Sequence, residues 1–294
     1  MKKNIFILIA SFIWTLSYSQ NDKLSTVYLN QELPGDIPVI FAPDLISKMG
    51  VFEYPCSFSA DMKEMYFGVN MFNEKKKEKY ILQVKRQNDG TWSSPQKLSF
   101  TGFSEMEPIL SADNSKLFFS VLSNSKKYKP HDIWYVNREN DGWGKPVKLN
   151  EDINTKKYEY YASMTLDGKM YFTREGKGIF SAELIDDEFT NVQLLEPSIN
   201  NLNFCTHPFV SPDGTYLIFD SRERNGFGKA DLYISFLENN HWGNPINLGE
   251  KINTSAIDFM PIVSPDGKYL FFCRKENKER DIYWVKFDVG KYRN

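Results

Sequence analysis

Hydrophobic and polar positions along the chain fall into one short phrase that is written five times. Its fullest form is residues 261–272 (PIVSPDGKYLFF). It returns at 208–219 (PFVSPDGTYLIF), 108–119 (PILSADNSKLFF), 56–67 (CSFSADMKEMYF) and, shortened, 162–172 (ASMTLDGKMYF). Each copy reads as an apolar strand ending in Ser or Thr, a tight turn, and a Tyr/Phe-rich buried strand. The central Asp stands at 61, 113, 167, 213 and 266, so the intervals are 52, 54, 46 and 53 residues. A period near fifty with strand patterning marks a propeller or an array of small sheets. No segment sustains a 3.6-residue apolar period, so helices are expected to be scarce.

Two further strand signals complete each repeat. A third strand is predicted at 80–84, 132–136, 178–182, 231–235 and 281–285. A fourth follows as Trp-x-x-Pro-x-x-Leu: Trp92, Pro95, Leu98; Trp143, Pro146, Leu149; Trp242, Pro245, Leu248. In the third repeat it is degraded to Phe189, Val192, Leu195. Four antiparallel strands per unit, repeated radially, describe the blades of a β-propeller. The fifth repeat carries only three strands. Residues 38–47 (PVIFAPDLIS) align with 146–155 (PVKLNEDINT), Pro38 with Pro146 and Phe41 with Leu149. This N-terminal segment is therefore expected to supply the missing outer strand, because an open ring would leave two unpaired edges and an unburied face. The expectation is an all-β, five-bladed β-propeller over residues 20–294. A six-bladed ring is the alternative, and it needs a copy the sequence does not contain.

Composition narrows the setting. Lys2 and Lys3 precede an apolar run over 5–16 and small residues at Ser17 and Ser19, the pattern of a signal peptide over 1–19. The other reading, a membrane anchor, needs about 20 apolar residues, and the run is shorter. No Cys follows it to carry a lipid. The whole chain has a formal charge of −2, and loss of the two leader lysines makes the remainder more acidic still. Such a surface is a poor match to nucleic acid phosphates. Cys56, Cys205 and Cys273 are an odd number without zinc spacing, and are expected as buried thiols unless neighbouring blades join one pair.

The Ser-Pro-Asp-Gly turns resemble the WD-like repeats of TolB-like propeller proteins. Residues 221–235 (SRERNGFGKADLYIS) and 242–254 (WGNPINLGEKINT) resemble the exported propellers of Bacteroidetes, and the opening 28–47 (YLNQELPGDIPVIFAPDLIS) is similar to their usual start. The resemblance covers 28–294. It implies only a propeller fold and a binding platform, and it names no ligand; with the leader, the chain is expected to be periplasmic or secreted, and it is expected to be a monomer.

In a propeller the first strand lines the central channel. The Asp-Gly turns then sit on one face, and the variable segments 70–79, 122–131, 174–177, 222–230 and 275–280 on the other. Variable loops on a repeated scaffold are where ligands are met, so the loop face is the expected binding face. Eight residues before each repeat's Asp stand Glu53, Glu105, Glu159, Cys205 and Asp258, and two further in stand Pro55, Glu107, Tyr161, His207 and Met260. Arg174, Arg222 and Arg274 follow the second strand on the same rim. One reading is a polar pocket at the channel mouth; there the carboxylates would bind a ligand or do acid/base work, and a divalent cation is the one cofactor they would accept. The other is that each acid pairs with an Arg or caps a turn, tying the ring together. The members that break the repetition, Cys205, His207 and Glu107, are the better functional candidates. The turn Asp resembles neither a full calcium loop nor the Asp-box of sialidases, and is expected to accept backbone N–H groups. Asp132, Asp231 and Asp281, opening third strands, are expected to be structural. Lys75, Lys76, Lys77, Lys126, Lys127 and Lys129 crowd two rim loops, where they would suit an anionic glycan. No nucleophile elbow, His-Glu-x-x-His or phosphate loop is present. Two functions follow: a binding module for an envelope protein or glycan, or a carbohydrate- or lactone-active hydrolase or lyase.

Overall fold

The computed structural model describes residues 24–48, 51–73, 76–122, 131–140 and 142–293. The leader expected at 1–19 lies outside these residues, as do Lys75, Lys126, Lys127 and Lys129. Among the described residues no helix is long and apolar enough to cross a membrane.

The N-terminal segment forms a small pair, β1 (Leu24–Ser25) with β2 (Gln31–Glu32), then β3 (Val39–Ile40). The first repeat follows as β4 (Val51–Phe58), β5 (Glu64–Asn73), β6 (Lys76–Lys85) and β7 (Gln96–Leu98). The second is β8 (Ser104–Leu110), β9 (Lys116–Leu122), β10 (His131–Glu139), β11 (Gly142–Trp143) and β12 (Val147–Lys148). The third is β13 (Glu159–Met164), β14 (Lys169–Arg174), β15 (Gly178–Ile185) and β16 (Glu188–Leu194). The fourth is β17 (Thr206–Val210), β18 (Tyr216–Ser221), β19 (Asp231–Glu238), β20 (His241–Trp242) and β21 (Ile246–Asn247). The fifth is β22 (Ile257–Val263), β23 (Tyr269–Glu276) and β24 (Glu279–Lys286). Each repeat is an antiparallel meander; among the described residues the helical pieces are one α turn, α1 (Pro197–Asn200), and two 3-10 turns at Thr26–Tyr28 and Val289–Tyr292.

The Trp-x-x-Pro motif produces a broken fourth strand where one continuous strand was predicted. In the second and fourth repeats it splits into β11/β12 and β20/β21, on either side of Pro146 and Pro245. Proline has no N–H for the ladder, so the pairing stops there and resumes beyond it. The third repeat has lost both Trp and Pro, and its β16 runs unbroken for seven residues. Segment 70–79, expected as a rim loop, is largely an extension of the β5–β6 hairpin, paired from Asn70↔Lys79 out to Asn73↔Lys76.

The Ser-x-Asp turns are wired as expected. Ser59, Ser111, Thr165, Ser211 and Ser264 each donate to the Asp two residues on, and Asp61, Asp113, Asp213 and Asp266 accept the backbone N–H two residues beyond themselves. The residue after each Asp takes φ between +57° and +88°, including Met62 and Asn114 where Gly is missing.

Closure follows the alignment of the N-terminal segment. β3 pairs antiparallel with β24 at Val39↔Trp284 and Ile40↔Tyr283, matching Val147↔Tyr135 and Lys148↔Trp134 in the second repeat. Phe41 N–H donates to Ile282 O at 2.8 Å, as Leu149, Leu195 and Leu248 donate in their own repeats. Fully buried Phe41 packs against Phe271 and Trp284, and Tyr28 donates to the Asp266 turn at 2.9 Å. The last sheet also meets the first through a parallel bridge, Arg280↔Phe52. The first strands touch in a closed cycle: β4 with β8, β8 with β13, β13 with β17, β17 with β22, and β22 with β4.

Candidate functional site at the loop-face mouth

Every first strand carries a register shift within its first three residues from the loop-face end: between Glu53 and Cys56, Met106 and Ile109, Tyr160 and Ser163, Thr206 and Phe209, and Phe259 and Ile262. The residue at the shift adopts left-handed φ in four repeats: Glu107 (57°), Tyr161 (56°), His207 (52°) and Met260 (57°). A bulge re-aims side chains and strengthens twist, and non-Gly residues hold this backbone only when their surroundings enforce it. In the first repeat the place is taken by Pro55, whose ring forbids positive φ.

The surroundings are the second strand of the preceding repeat. His207 N–H donates to Thr173 Oγ1 at 2.9 Å and Met260 N–H to Asp220 Oδ1 at 3.1 Å. Gly68 fills the same place beside the second repeat: a Cβ there would lie 3.0 Å from the Tyr54 ring and 3.3 Å from Glu107 N. The chain puts Gly68, Ser120, Thr173, Asp220 and Cys273 one place after the aromatic run of each second strand. Asp220 is the one acid in that series. This was a readable irregularity, and the sequence reading passed over it.

The repeated acids do not converge on a pocket. Glu105 accepts Phe100 N–H at 3.0 Å and Thr101 Oγ1 at 2.7 Å. Glu159 accepts Thr155 Oγ1 at 2.6 Å and Arg174 Nε at 2.8 Å, and Asp258 accepts Thr254 N–H at 2.7 Å and Arg274 Nε at 2.6 Å. Arg174 Nη2 and Arg274 Nη2 then donate to Asp152 O and Ile252 O in the loop leading into the strand. Each acid therefore staples that loop to its own repeat. Burial still pushes Glu159 and Asp258 above the usual carboxylate range despite their arginines. Glu53 is the weakest staple. It faces Val69 across the ladder, takes one hydrogen bond from Lys48 N–H, and leaves Oε2 buried without a partner. Burial pushes its carboxyl up to about 8. Cys205 donates to Ile199 O instead, which leaves exposed Arg222 without an acid, stacked 5.5 Å from the Phe204 ring. All three cysteines are free and buried.

What does come together is the irregular set. His207 Nδ1 lies 2.7 Å from Asp220 Oδ1, which orients the ring and leaves Nε2 as its other face. The His207 ring stands 5.2 Å from Tyr160, 5.1 Å from Tyr161 and 5.8 Å from Phe259. Buried Tyr161 reaches from the third repeat to the fifth, where it donates to Pro261 O at 2.9 Å. Glu107 accepts Ser120 Oγ at 2.9 Å, and its charge acts on both Tyr160 and His131. Burial draws the His131 pKa down, and its ring stacks on Tyr158 at 5.0 Å. Beyond Phe259 the Arg280 guanidinium lies 4.3 Å from the Tyr54 ring and 5.2 Å from Phe52. The sequence marks Glu107 and His207 and carries a signal for Asp220; Tyr160 and Arg280 emerge only from the fold. Among the described residues no three His, Cys, Asp or Glu side chains gather as a metal-binding group.

Cavities also lie elsewhere. An apolar one of about 250 Å³ opens on the turn face, walled by residues of all five first strands, among them Phe58, Ile109, Met164, Val210 and Ile262. Axial space was expected on the loop face. There Tyr161, Tyr54 and Met260 are buried in one apolar cluster. A larger cleft of about 910 Å³ runs between the first and second repeats past Phe100, Arg138 and Trp143.

No family model matches the chain, and no curated protein matches it. Solved structures do. It is similar to TolB from Acinetobacter baumannii at 14% identity and a TM-score of 0.50, covering 80% of this chain and 57% of that one. A glycoside hydrolase matches at 13% identity and 0.58, covering 87% and 92%, and the arabinanase Arb43A of Bacillus subtilis at 12% and 0.52, covering 84% and 97%. These likenesses show the fold: the chain is a β-propeller.

Proposed function

We propose that the chain is an exported, five-bladed β-propeller that presents its loop face to a protein or glycan partner in the cell envelope. The five-membered contact cycle of first strands and the β3–β24 pairing support five blades. The apolar run at 5–16 behind two lysines supports export to the periplasm or beyond, and the sequence resemblance favours the Bacteroidetes type. The observation that carries the binding reading is the divergence of the bulge residues. Where the ring needs only a staple, it repeats one. At the mouth it instead places Glu107, Tyr161 and His207 at the positive-φ bulges of three successive repeats, with Tyr160 and Asp220 beside His207. A second reading, a carbohydrate- or lactone-active hydrolase or lyase, rests on the Asp220-oriented His207 ring against Tyr160, an arrangement suited to proton transfer.

A glycan array and an envelope-protein panel probed with the purified chain test the main reading. The double variant Tyr160→Ala, His207→Ala should lose the bound signal, while Met164→Lys in the turn-face cavity should keep it. The opposite pattern would sink it.

A further inference from the structure

We infer that the apolar cavity on the turn face is a second binding site, for a small amphipathic amine: an apolar body about the size of a benzene ring, linked by a few carbons to a cationic nitrogen. The site lies on the opposite face from the loop-face mouth and does not depend on the binding reading above. Its walls include buried Phe58, Ile109, Met164, Val210 and Ile262, one from each first strand. Its volume, about 250 Å³, exceeds that of an apolar cavity of about 150 Å³, which already takes up benzene. The hydroxyls in the wall are spoken for. Ser57 Oγ accepts Leu110 N–H at 2.9 Å, and Ser163 Oγ donates to Pro208 O at 2.8 Å and accepts Val210 N–H at 3.1 Å. Ser111 and Ser264 donate to their turn carboxylates. Walls whose hydroxyls are already paired select apolar surface over a sugar.

The mouth is apolar first and acidic beyond. The middle residues of four Ser-x-Asp turns, Ala60, Ala112, Pro212 and Pro265, line the cavity. The third repeat has Leu166 there, 62% exposed, with its N–H bonded to Pro212 O at 2.8 Å. Proline suits such a turn through its fixed φ, but Ala and Leu have no such reason to face water. The next residue in every turn is an exposed Asp. Asp61 and Asp266 meet Lys63 and Lys268 at 3.9 and 3.5 Å, whereas Ser115 and Thr215 stand at the lysine place in the second and fourth repeats. Lys116, the next base along, bonds Asn137 Oδ1 instead, at 2.9 Å. Asp113 and Asp213 therefore carry no ion pair with described residues. Partial burial works against their ionisation, yet the Ser hydroxyl and the backbone N–H two residues on outweigh it and hold both carboxyls below the usual carboxylate range. The charge of Asp213 acts on Tyr216, a residue of the cavity wall. A cation tethered to a ring in the cavity meets uncommitted carboxylates at the mouth, and an anion is repelled there.

The test is NMR of the purified chain labelled at its methionine methyls, with the Met164 signal assigned by its loss in Met164→Leu. The probes are 2-phenylethylammonium, 3-phenylpropionate, ethylammonium and a Lys-Phe-Lys peptide. Phenylethylammonium should shift the Met164 methyl and bind at least about tenfold more tightly than phenylpropionate, which has a similar body and the opposite charge. Ethylammonium, lacking the ring, should leave Met164 unmoved. The double variant Asp113→Asn, Asp213→Asn should abolish the preference for the cation. Should that variant fail to fold, salt at about 1 M, where the screening length falls to about 3 Å, should erase the preference on the native chain. An unmoved Met164 methyl, phenylpropionate binding as tightly as the amine, or a preference that survives both the variant and salt overturns the inference. Tighter binding of the peptide than of the free amine overturns the small-ligand assignment in favour of a protein partner. The loop-face reading is untouched by any of these results, because its own readout is Tyr160→Ala, His207→Ala.

Discussion

Glu53 differs from its counterparts by what surrounds it. Glu159 and Asp258 each have a Thr hydroxyl and an Arg, whereas Glu53 has one backbone N–H and a Val opposite. Its native carboxyl keeps the proton to about pH 8, while an unfolded one releases it near 4.5. Between those values the native chain binds more protons than the unfolded chain, so stability is fully present below the window and declines as pH rises through it. Urea denaturation should show a chain less stable at pH 9 than at pH 5 by about 2–4 kcal/mol. Glu53→Gln should flatten that slope while keeping the pH 5 stability. A native slope that persists in the variant would assign the effect to other groups. Residue-scale chemistry at the mouth was half legible. Glu107 and His207 stood out as breaks in a repeat, but the tyrosine and arginine facing them belong to other repeats and needed the fold.

At the scale of the element, a device that recurs in three repeats is an asparagine that the sequence reading missed. Asn154, Asn200 and Asn253 each accept the N–H of a third-strand residue and return a hydrogen bond to its carbonyl, at Ile133, Ile179 and Leu232. The turn after the fourth strand is thereby clamped to the third. Ser47 takes the place in the N-terminal segment, accepting from Ile282 N–H at a longer 3.4 Å. The signal was present as Ile-Asn at 153–154, 199–200 and 252–253. Its meaning depends on a partner 21 residues upstream, which periodicity does not reveal. Asn253→Ala should cost about 2–4 kcal/mol in urea denaturation, because it strands buried backbone groups. Gly68 marks where one repeat approaches the next. Gly68→Ala should cost about 1–3 kcal/mol through overpacking against Tyr54, and a neutral result would mean that this junction has slack.

For the whole molecule, the joint between head and tail governs cooperativity. β3 covers the outer edge of β24, and Phe41, Tyr28 and Trp284 form the aromatic packing behind it. A ring unfolds as a unit only while every sheet has both neighbours. Phe41→Ala should cost about 3–5 kcal/mol. Removing residues up to 47 should leave the β24 edge free to pair with another chain, seen as concentration-dependent association in size-exclusion chromatography. A truncated chain that stays monomeric and equally stable would mean that closure resides in the Arg280–Phe52 contact instead.

The sequence by itself determined the strand phrase, its number of copies, the turn chemistry and the partner of the unfinished last sheet. All of these follow from side-chain period, Asp-Gly turns and self-similarity, which act over a few residues or recur in register. Only the tertiary structure decided what the acids are for. Whether a carboxylate is a staple or a ligand depends on which Arg, Thr and backbone N–H groups the fold brings within 3 Å. It also decided that the apolar axial cavity lies on the turn face and that the loop-face mouth gathers aromatic rings with Glu107 and the His207–Asp220 pair. Those surfaces are made by residues from several repeats, about fifty positions apart, and no local pattern records that they meet.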